Sequence, residues 1–212
     1  GNTQRMGTEL AVNGKLGKNI TWYGNYSYVR ASFETHQKIA SAGHSEALLI
    51  PCEGPEEYGA GGNAAATADQ ESCEARESYQ IQVGPGDAIP GVSPHIGRVG
   101  FGFIPFDGLG LFVDAEYNSR QFYRGDENNA EGKQVPGYFL LNASAEYTVP
   151  KANADTAGFS TSIFLEGRNL LDTNFESGGI LAENEVDGTG GSGTFVTPGQ
   201  PLTVFGGMKF TW

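Results

Sequence analysis

Seven stretches of this sequence alternate with period two, and one side of that alternation is apolar and almost free of charge. They are 6–16, 20–30, 95–104, 109–122, 138–149, 159–170 and 201–212. Period two belongs to strands, whose successive side chains point to opposite faces. In 109–122, Leu109, Leu111, Val113, Ala115 and Tyr117 share one face. Asp114, Glu116, Asn118 and Arg120 share the other, with Phe112 as the exception. With the second stretch counted from Ile20 to Tyr28, the apolar sides hold 38 positions without one Asp, Glu, Lys or Arg, where a charged content of 18% would place about seven. The other side holds Glu9, Lys15, Arg98, Asp114, Glu116, Arg120, Glu146, Glu166, Arg168 and Lys209.

Two environments reject charge this completely: a soluble core and a lipid bilayer. An Arg or Lys facing lipid at the midplane costs roughly 2–4 kcal/mol. The opposite face, mixing ions with Gly, Ser, Thr and Asn, suits a wet or plugged lumen. Stretches of about 10–13 residues suit a tilted membrane strand, against about five or six in soluble proteins. The connections also alternate. Those at 17–19, 105–108 and 150–158 are short, and those at 31–94, 123–137 and 171–200 are long. Outer-membrane barrels put short turns on one side and long external loops on the other. The pattern therefore predicts an all-β, transmembrane antiparallel barrel. An open membrane sheet would leave unpaired edges in lipid, and barrels close with an even strand number, so seven strands call for partners beyond these residues. A secreted, glycan-binding β-sandwich is the soluble alternative.

Composition removes other classes. With 25 acids against 13 bases, the net charge of −12 argues against a nucleic-acid partner, which needs a cationic face. No run of 18 apolar residues is present, so no helix is expected to span a membrane. Gly1 is not an initiator Met and no charged-then-apolar leader follows it, so the chain reads as a mature product or as cut from something longer. Two cysteines are too few for a disulfide scaffold or a zinc site.

Several segments, in order, resemble the barrel of TonB-dependent outer-membrane receptors. Asn2-Thr3-Gln4-Arg5-Met6-Gly7-Thr8-Glu9 resembles an N-T-x-R-x-G-x-E strand start, and Trp22–Tyr28 an aromatic NYSY strand. Pro85–His95 resembles a PGD-IPG-P-H strand entry. Tyr123–Asn128, followed by Pro136-Gly137-Tyr138, is also family-like, as are Glu166–Asp172 and Pro198–Pro201. The resemblance implies that residues 1–212 are about the last seven strands of a 22-stranded barrel, without the plug domain. It implies uptake of a scarce nutrient, such as a ferric siderophore or another metal chelate, across the outer membrane of a Gram-negative bacterium. A passive porin or structural barrel is the other membrane reading. The implied partners are the remaining strands and plug, the TonB–ExbB–ExbD complex acting through the plug, the barrel-assembly machinery, lipopolysaccharide and other outer-membrane lipids, and a small-molecule substrate. No enzymatic activity and no cofactor is implied.

Residue roles follow from that frame. Met208, Phe210 and Trp212 resemble the C-terminal signal read by the barrel-assembly machinery. Phe122, Tyr123 and Arg124, at a strand's outer end, are the candidate substrate contacts. Asp114, Glu116, Arg120, Glu146, Glu166 and Arg168 are expected to face the lumen and plug. Cys52 and Cys73 share the longest loop; a disulfide there would restrict the unfolded loop by roughly 3 kcal/mol, with free or metal-binding thiols as the alternative. The three long loops hold a net −14, either for solubility or as a cation-attracting vestibule. His36 and His44, near Glu34 and Glu46, are expected to be solvated loop residues rather than metal ligands. Arg124-Gly125-Asp126 matches an adhesion tripeptide, but it lies inside the family-like segment. No nucleophile–His–acid arrangement is legible.

Overall fold

A computed structural model describes residues 1–50, 78–149, 160–184 and 191–211. The strands, in chain order, are β1 (Thr3–Leu16), β2 (Ile20–Phe33), β3 (Gln37–Ala40), β4 (Leu48–Ile50), β5 (Ser78–Val83), β6 (His95–Phe106) and β7 (Leu109–Asn118). They continue with β8 (Gln121–Phe122), β9 (Gln134–Val135), β10 (Tyr138–Thr148), β11 (Ser160–Arg168), β12 (Glu176–Asn184), β13 (Gly191–Pro198) and β14 (Thr203–Thr211). The seven alternating stretches become one antiparallel sheet in the order β1-β2-β6-β7-β10-β11-β14. Each of its strands follows its neighbour in an up-and-down meander, and β1 and β14 form its two open edges.

The register explains why the seven apolar faces matter together. Leu10 pairs with Tyr26, Trp22 with Phe101, Phe101 with Val113, Val113 with Ala143, Ala145 with Leu165, and Ile163 with Met208. Directly paired residues share a face, so the apolar positions fuse into one continuous surface. That surface is exposed: Leu10, Phe101, Leu165 and Met208 are all more than half accessible. The whole chain exposes 14555 Å², against about 9,500 Å² for a compact soluble monomer of this mass. A β-sandwich would need a second sheet on the apolar face. The other sheets among the described residues are the three-stranded β3-β5-β4 and the ribbons β8-β9 and β12-β13, all within the long connections.

Those connections depart from the sequence reading in two ways. The stretch 109–122 is not one strand. Its ladder ends at Asn118, and Gln121–Phe122 turn away to pair with Gln134–Val135. The long loops also carry the buried cores of the molecule. Phe33, Ile81 and Val83 form one cluster, and Tyr123, Val135 and Leu181 a second. The sheet has no water-excluding layer of its own, so burial of apolar side chains concentrates where loops fold over each other. Short turns close the opposite end. Gly108, at φ 93°, turns the chain between β6 and β7, a backbone conformation that favours glycine.

Candidate functional site

The polar face of the sheet gathers charge at its middle. Arg98 reaches Asp114 from the neighbouring strand at 3.1 Å. Asp114 also accepts a hydrogen bond from Asn142 Nδ2 at 3.1 Å, and Asn142 Oδ1 in turn accepts the backbone N–H of Asn169 at 3.0 Å. Asn118 Nδ2 donates to Glu116. Arg168 donates to Glu166 at 2.7 Å while its guanidinium lies 5.2 Å from the centre of the Phe205 ring. A cavity of about 300 Å³ opens among Arg98, Asp114, Glu116, Asn142, Glu166 and Arg168. The ion pairs are partly exposed, with Arg98 about half accessible, so they fix side-chain directions more than they stabilise. Of the expected lumen residues, Asp114, Glu116, Glu166 and Arg168 meet here. Glu146 lies near the far end of β10, opposite Gly110 and Phe164, and Arg120 follows the end of β7.

Above this wall the three long connections interlock. Residues 123–131 form the hub. Asp126 N–H donates to the Tyr123 carbonyl and Asn129 N–H to the Asp126 carbonyl, a pair of tight turns in which Asn129 holds φ 58°. Arg124 N–H donates to Gly179 O, and Leu181 N–H to Arg124 O, which docks the β12-β13 hairpin beside the hub. Gly125 has φ 96°, and a Cβ there would lie 2.7 Å from Leu181 O, so only glycine fits. The Tyr123 ring covers Gly179, and its hydroxyl donates to Glu176 at 3.0 Å. Burial first, and then Glu176, raise the Tyr123 phenol above its ordinary value.

A clasp joins the hub to the first long connection. His44 Nε2 lies 3.3 Å from Asp126 Oδ1, with both side chains fully buried. The Glu46 N–H donates to His44 Nδ1 at 3.0 Å. That nitrogen is therefore the acceptor, and Nε2 carries the proton it gives to Asp126. Asp126 Oδ1 also accepts the N–H of Glu131, while Asp126 Oδ2 is buried without a partner among the described residues. Around the clasp, Ser41 Oγ donates to Gly125 O at 2.6 Å, Asn128 to Glu46 at 2.9 Å, and Ser45 N–H to Glu131 at 2.9 Å. The Ser45 hydrogen bonds are the main cause holding the Glu131 carboxyl below its ordinary value. Asn129 and Ala88 exchange two further bonds.

His44 thus overturns the expectation of a solvated loop histidine: it is 4% exposed. No local signal announces this, because its partner lies 82 residues away. His36 is exposed, and no group of three metal-ligating side chains occurs among the described residues. Burial of Asp126 also withdraws the Arg-Gly-Asp tripeptide from any adhesion receptor.

The three candidate contacts separate. Tyr123 turns into the buried cluster. Phe122 and Arg124 line a cavity of about 340 Å³ together with Gln121, Ile180, Phe195 and Thr197. Ile180 and Phe195 are directly paired across the hairpin, so both side chains stand on the same face, beside Phe122. The cavity offers aromatic and aliphatic walls, one guanidinium, one amide and the hydroxyls of Ser177 and Thr197. That chemistry can hold a small ligand with an apolar body and an anionic group. Met208 and Phe210 are exposed on the apolar face. Trp212, Cys52 and Cys73 lie outside the described residues.

The family described as TonB dependent receptor-like, beta-barrel matches residues 1–170. No curated protein matches the chain. Among solved structures, the siderophore receptor PiuA from Acinetobacter baumannii is similar over 99% of this chain and 22% of its own, at 14% identity and a TM-score of 0.58. The ferric yersiniabactin uptake receptor FyuA from Yersinia pestis is similar over 98% and 23%, at 13% identity and 0.54. The ferric citrate transporter FecA is similar over 99% and 24%, at 16% identity and 0.55. At such identities the likeness is one of fold. The chain spans less than a quarter of the length of each.

Proposed function

Because this chain belongs to the TonB dependent receptor-like β-barrel family, whose members are outer-membrane receptors rather than enzymes, we propose that it supplies wall and external loops to a gated receptor for a scarce nutrient. Ferric siderophores and other metal chelates are the proposed substrate class, in keeping with the names of the three structural relatives. The single observation that carries the reading is the two-sidedness of the sheet. One face is apolar, continuous and exposed; the other bears the Arg98–Asp114–Asn142 network. Such a sheet is stable where hydrocarbon wets one side and a polar filling the other.

In this reading further strands pair with the open edges of β1 and β14. A plug packs against the polar wall and passes on the work of the TonB–ExbB–ExbD complex. The barrel-assembly machinery reads the segment containing Met208, Phe210 and Trp212, and lipopolysaccharide surrounds the apolar face. Residues 31–94, 123–137 and 171–200 face the exterior. The cavity between Phe122, Arg124, Ile180 and Phe195 receives the substrate, with Arg124 meeting its negative charge.

Uptake of radiolabelled iron chelates by cells carrying the full receptor tests this. Arg124→Ala removes a charge-assisted hydrogen bond worth roughly 1.5–3 kcal/mol, so the apparent Kd should rise about 10- to 100-fold, and uptake should cease without TonB. Unchanged affinity removes the cavity from the pathway. Uptake that persists without TonB establishes a passive pore instead.

A further inference from the structure

The apolar face admits one formal charge, and its position is informative. Through the paired positions of the seven sheet strands, the side that contains Leu10, Trp22, Phe101, Val113 and Leu165 carries only Arg30, which the register sets opposite Met6. Arg30 is exposed and has no carboxylate partner among the described residues. It stands ten residues along β2 from Ile20, where the apolar face begins. At about 3.3 Å per residue and a tilt of about 40°, that is a height of about 25 Å, the full thickness of an apolar barrel band. Arg30 therefore stands at the outer boundary of the hydrocarbon, on the side of the long connections.

Its surroundings are built for an interface. His95, opposite Tyr28, takes part in a 2.7 Å hydrogen bond between its Nδ1 and the Tyr26 hydroxyl. Its ring centre lies 6.1 Å from that of Tyr26 and 5.1 Å from that of Tyr28. Nε2 is left as the ring nitrogen without a protein partner among the described residues. Next to Arg30 the pairing of β2 is interrupted. Ile89 N–H donates to Ala31 O and Val29 N–H to Pro94 O, so residues 90–93 bulge between them. A gap of about 110 Å³ opens there among Tyr28, Arg30, Ile89, Val92 and Pro94.

We propose that Arg30, flanked by His95, Tyr26 and Tyr28, is a docking point for the phosphate of an outer-leaflet lipid headgroup. The inference rests on the apolar face meeting lipid. A guanidinium at that boundary presents forked donors to a phosphate, and tyrosines place an apolar body in the chains and a hydroxyl among the headgroups. An unpaired cation on an otherwise charge-free surface is matched by the anionic layer at its own height. The site binds lipid phosphate rather than a free anion, because the acyl chains of the same molecule lie along Phe101, Val99 and Leu10 below it.

The test uses the full receptor purified in detergent, with native mass spectrometry after exposure to diphosphorylated lipid A, dephosphorylated lipid A, or inorganic phosphate. Wild type should retain diphosphorylated lipid A at least about tenfold better than the dephosphorylated form, and Arg30→Gln should erase the difference. Arg5→Gln, on the polar face one position along from Met6, should leave it intact. Equal retention by wild type and Arg30→Gln overturns the proposal, as does equal loss in Arg5→Gln or displacement of the lipid by millimolar phosphate. Detergent-free solubility of the receptor would instead overturn the membrane reading itself, a separate outcome read from partitioning.

Discussion

Replacing His44 by alanine should open the external cap without disturbing the sheet. The imidazole is fully buried and joins two connections that share no strand ladder: Nε2–H to Asp126, and Glu46 N–H to Nδ1. Its removal leaves Asp126 with the Glu131 N–H on Oδ1 and, among the described residues, no partner on Oδ2. Losing a hydrogen bond to a buried charged group costs roughly 1.5–3 kcal/mol. The clasp ties only the cap, so the cost falls on local opening. At about 1.4 kcal/mol per tenfold, amide exchange at Ser45, Glu46, Asp126 and Glu131 should accelerate about 10- to 100-fold. Strand amides of β7 and β10 should hold their rates. Native-state hydrogen exchange of the full receptor measures both. Asn128→Ala serves as the control, because it deletes an exposed bond to Glu46 and should change exchange by less than about threefold. If His44→Ala exchanges like wild type at those four amides, the clasp does not hold the cap and the reasoning fails.

Three further outcomes are expected. Val113→Arg places a charge between Phe101 and Ala143 on the apolar face and should cost roughly 2–4 kcal/mol, seen as a lower yield of heat-modifiable folded barrel; Glu146→Lys on the other face should fold normally. Gly125→Ala forces a Cβ against Leu181 O at φ 96°, and should loosen the β12-β13 hairpin by about 1–3 kcal/mol, read as protease sensitivity of that hairpin. Glu131 is depressed below the ordinary glutamate value of 4.5, chiefly by its Ser45 hydrogen bonds, so its contribution to the cap is complete above pH 4.5 and is lost as pH falls further through its folded value. Exchange at the Ser45 amide should therefore rise more steeply below pH 4.5 in wild type than in Glu131→Gln.

The alternation of residues such as Leu109, Leu111 and Val113 was enough to assign faces, because a strand has only two sides and a one-residue slip would expose every charge to lipid. The short connections at 17–19, 105–108 and 150–158 make only the strands on either side of each into neighbours; that the long connections also join adjacent strands is a result of the tertiary structure. The cap obeyed no such local rule. Tyr79, Ile81 and Val83 alternate over too few residues to stand out in a segment dominated by Gly, Ala and Glu, yet Ile81 and Val83 are 2% and 0% exposed. Tyr123 looked like a ligand contact and became core, because Gly179, far along the chain, offers it a flat surface without a side chain. His44 and Asp126 met through folding of two loops whose sequences carry no shared period. Periodicity records which solvent each face of a strand will meet. It holds no record of which loop will cover which, and that is decided by contacts made only once the strands have brought the loops to the same rim.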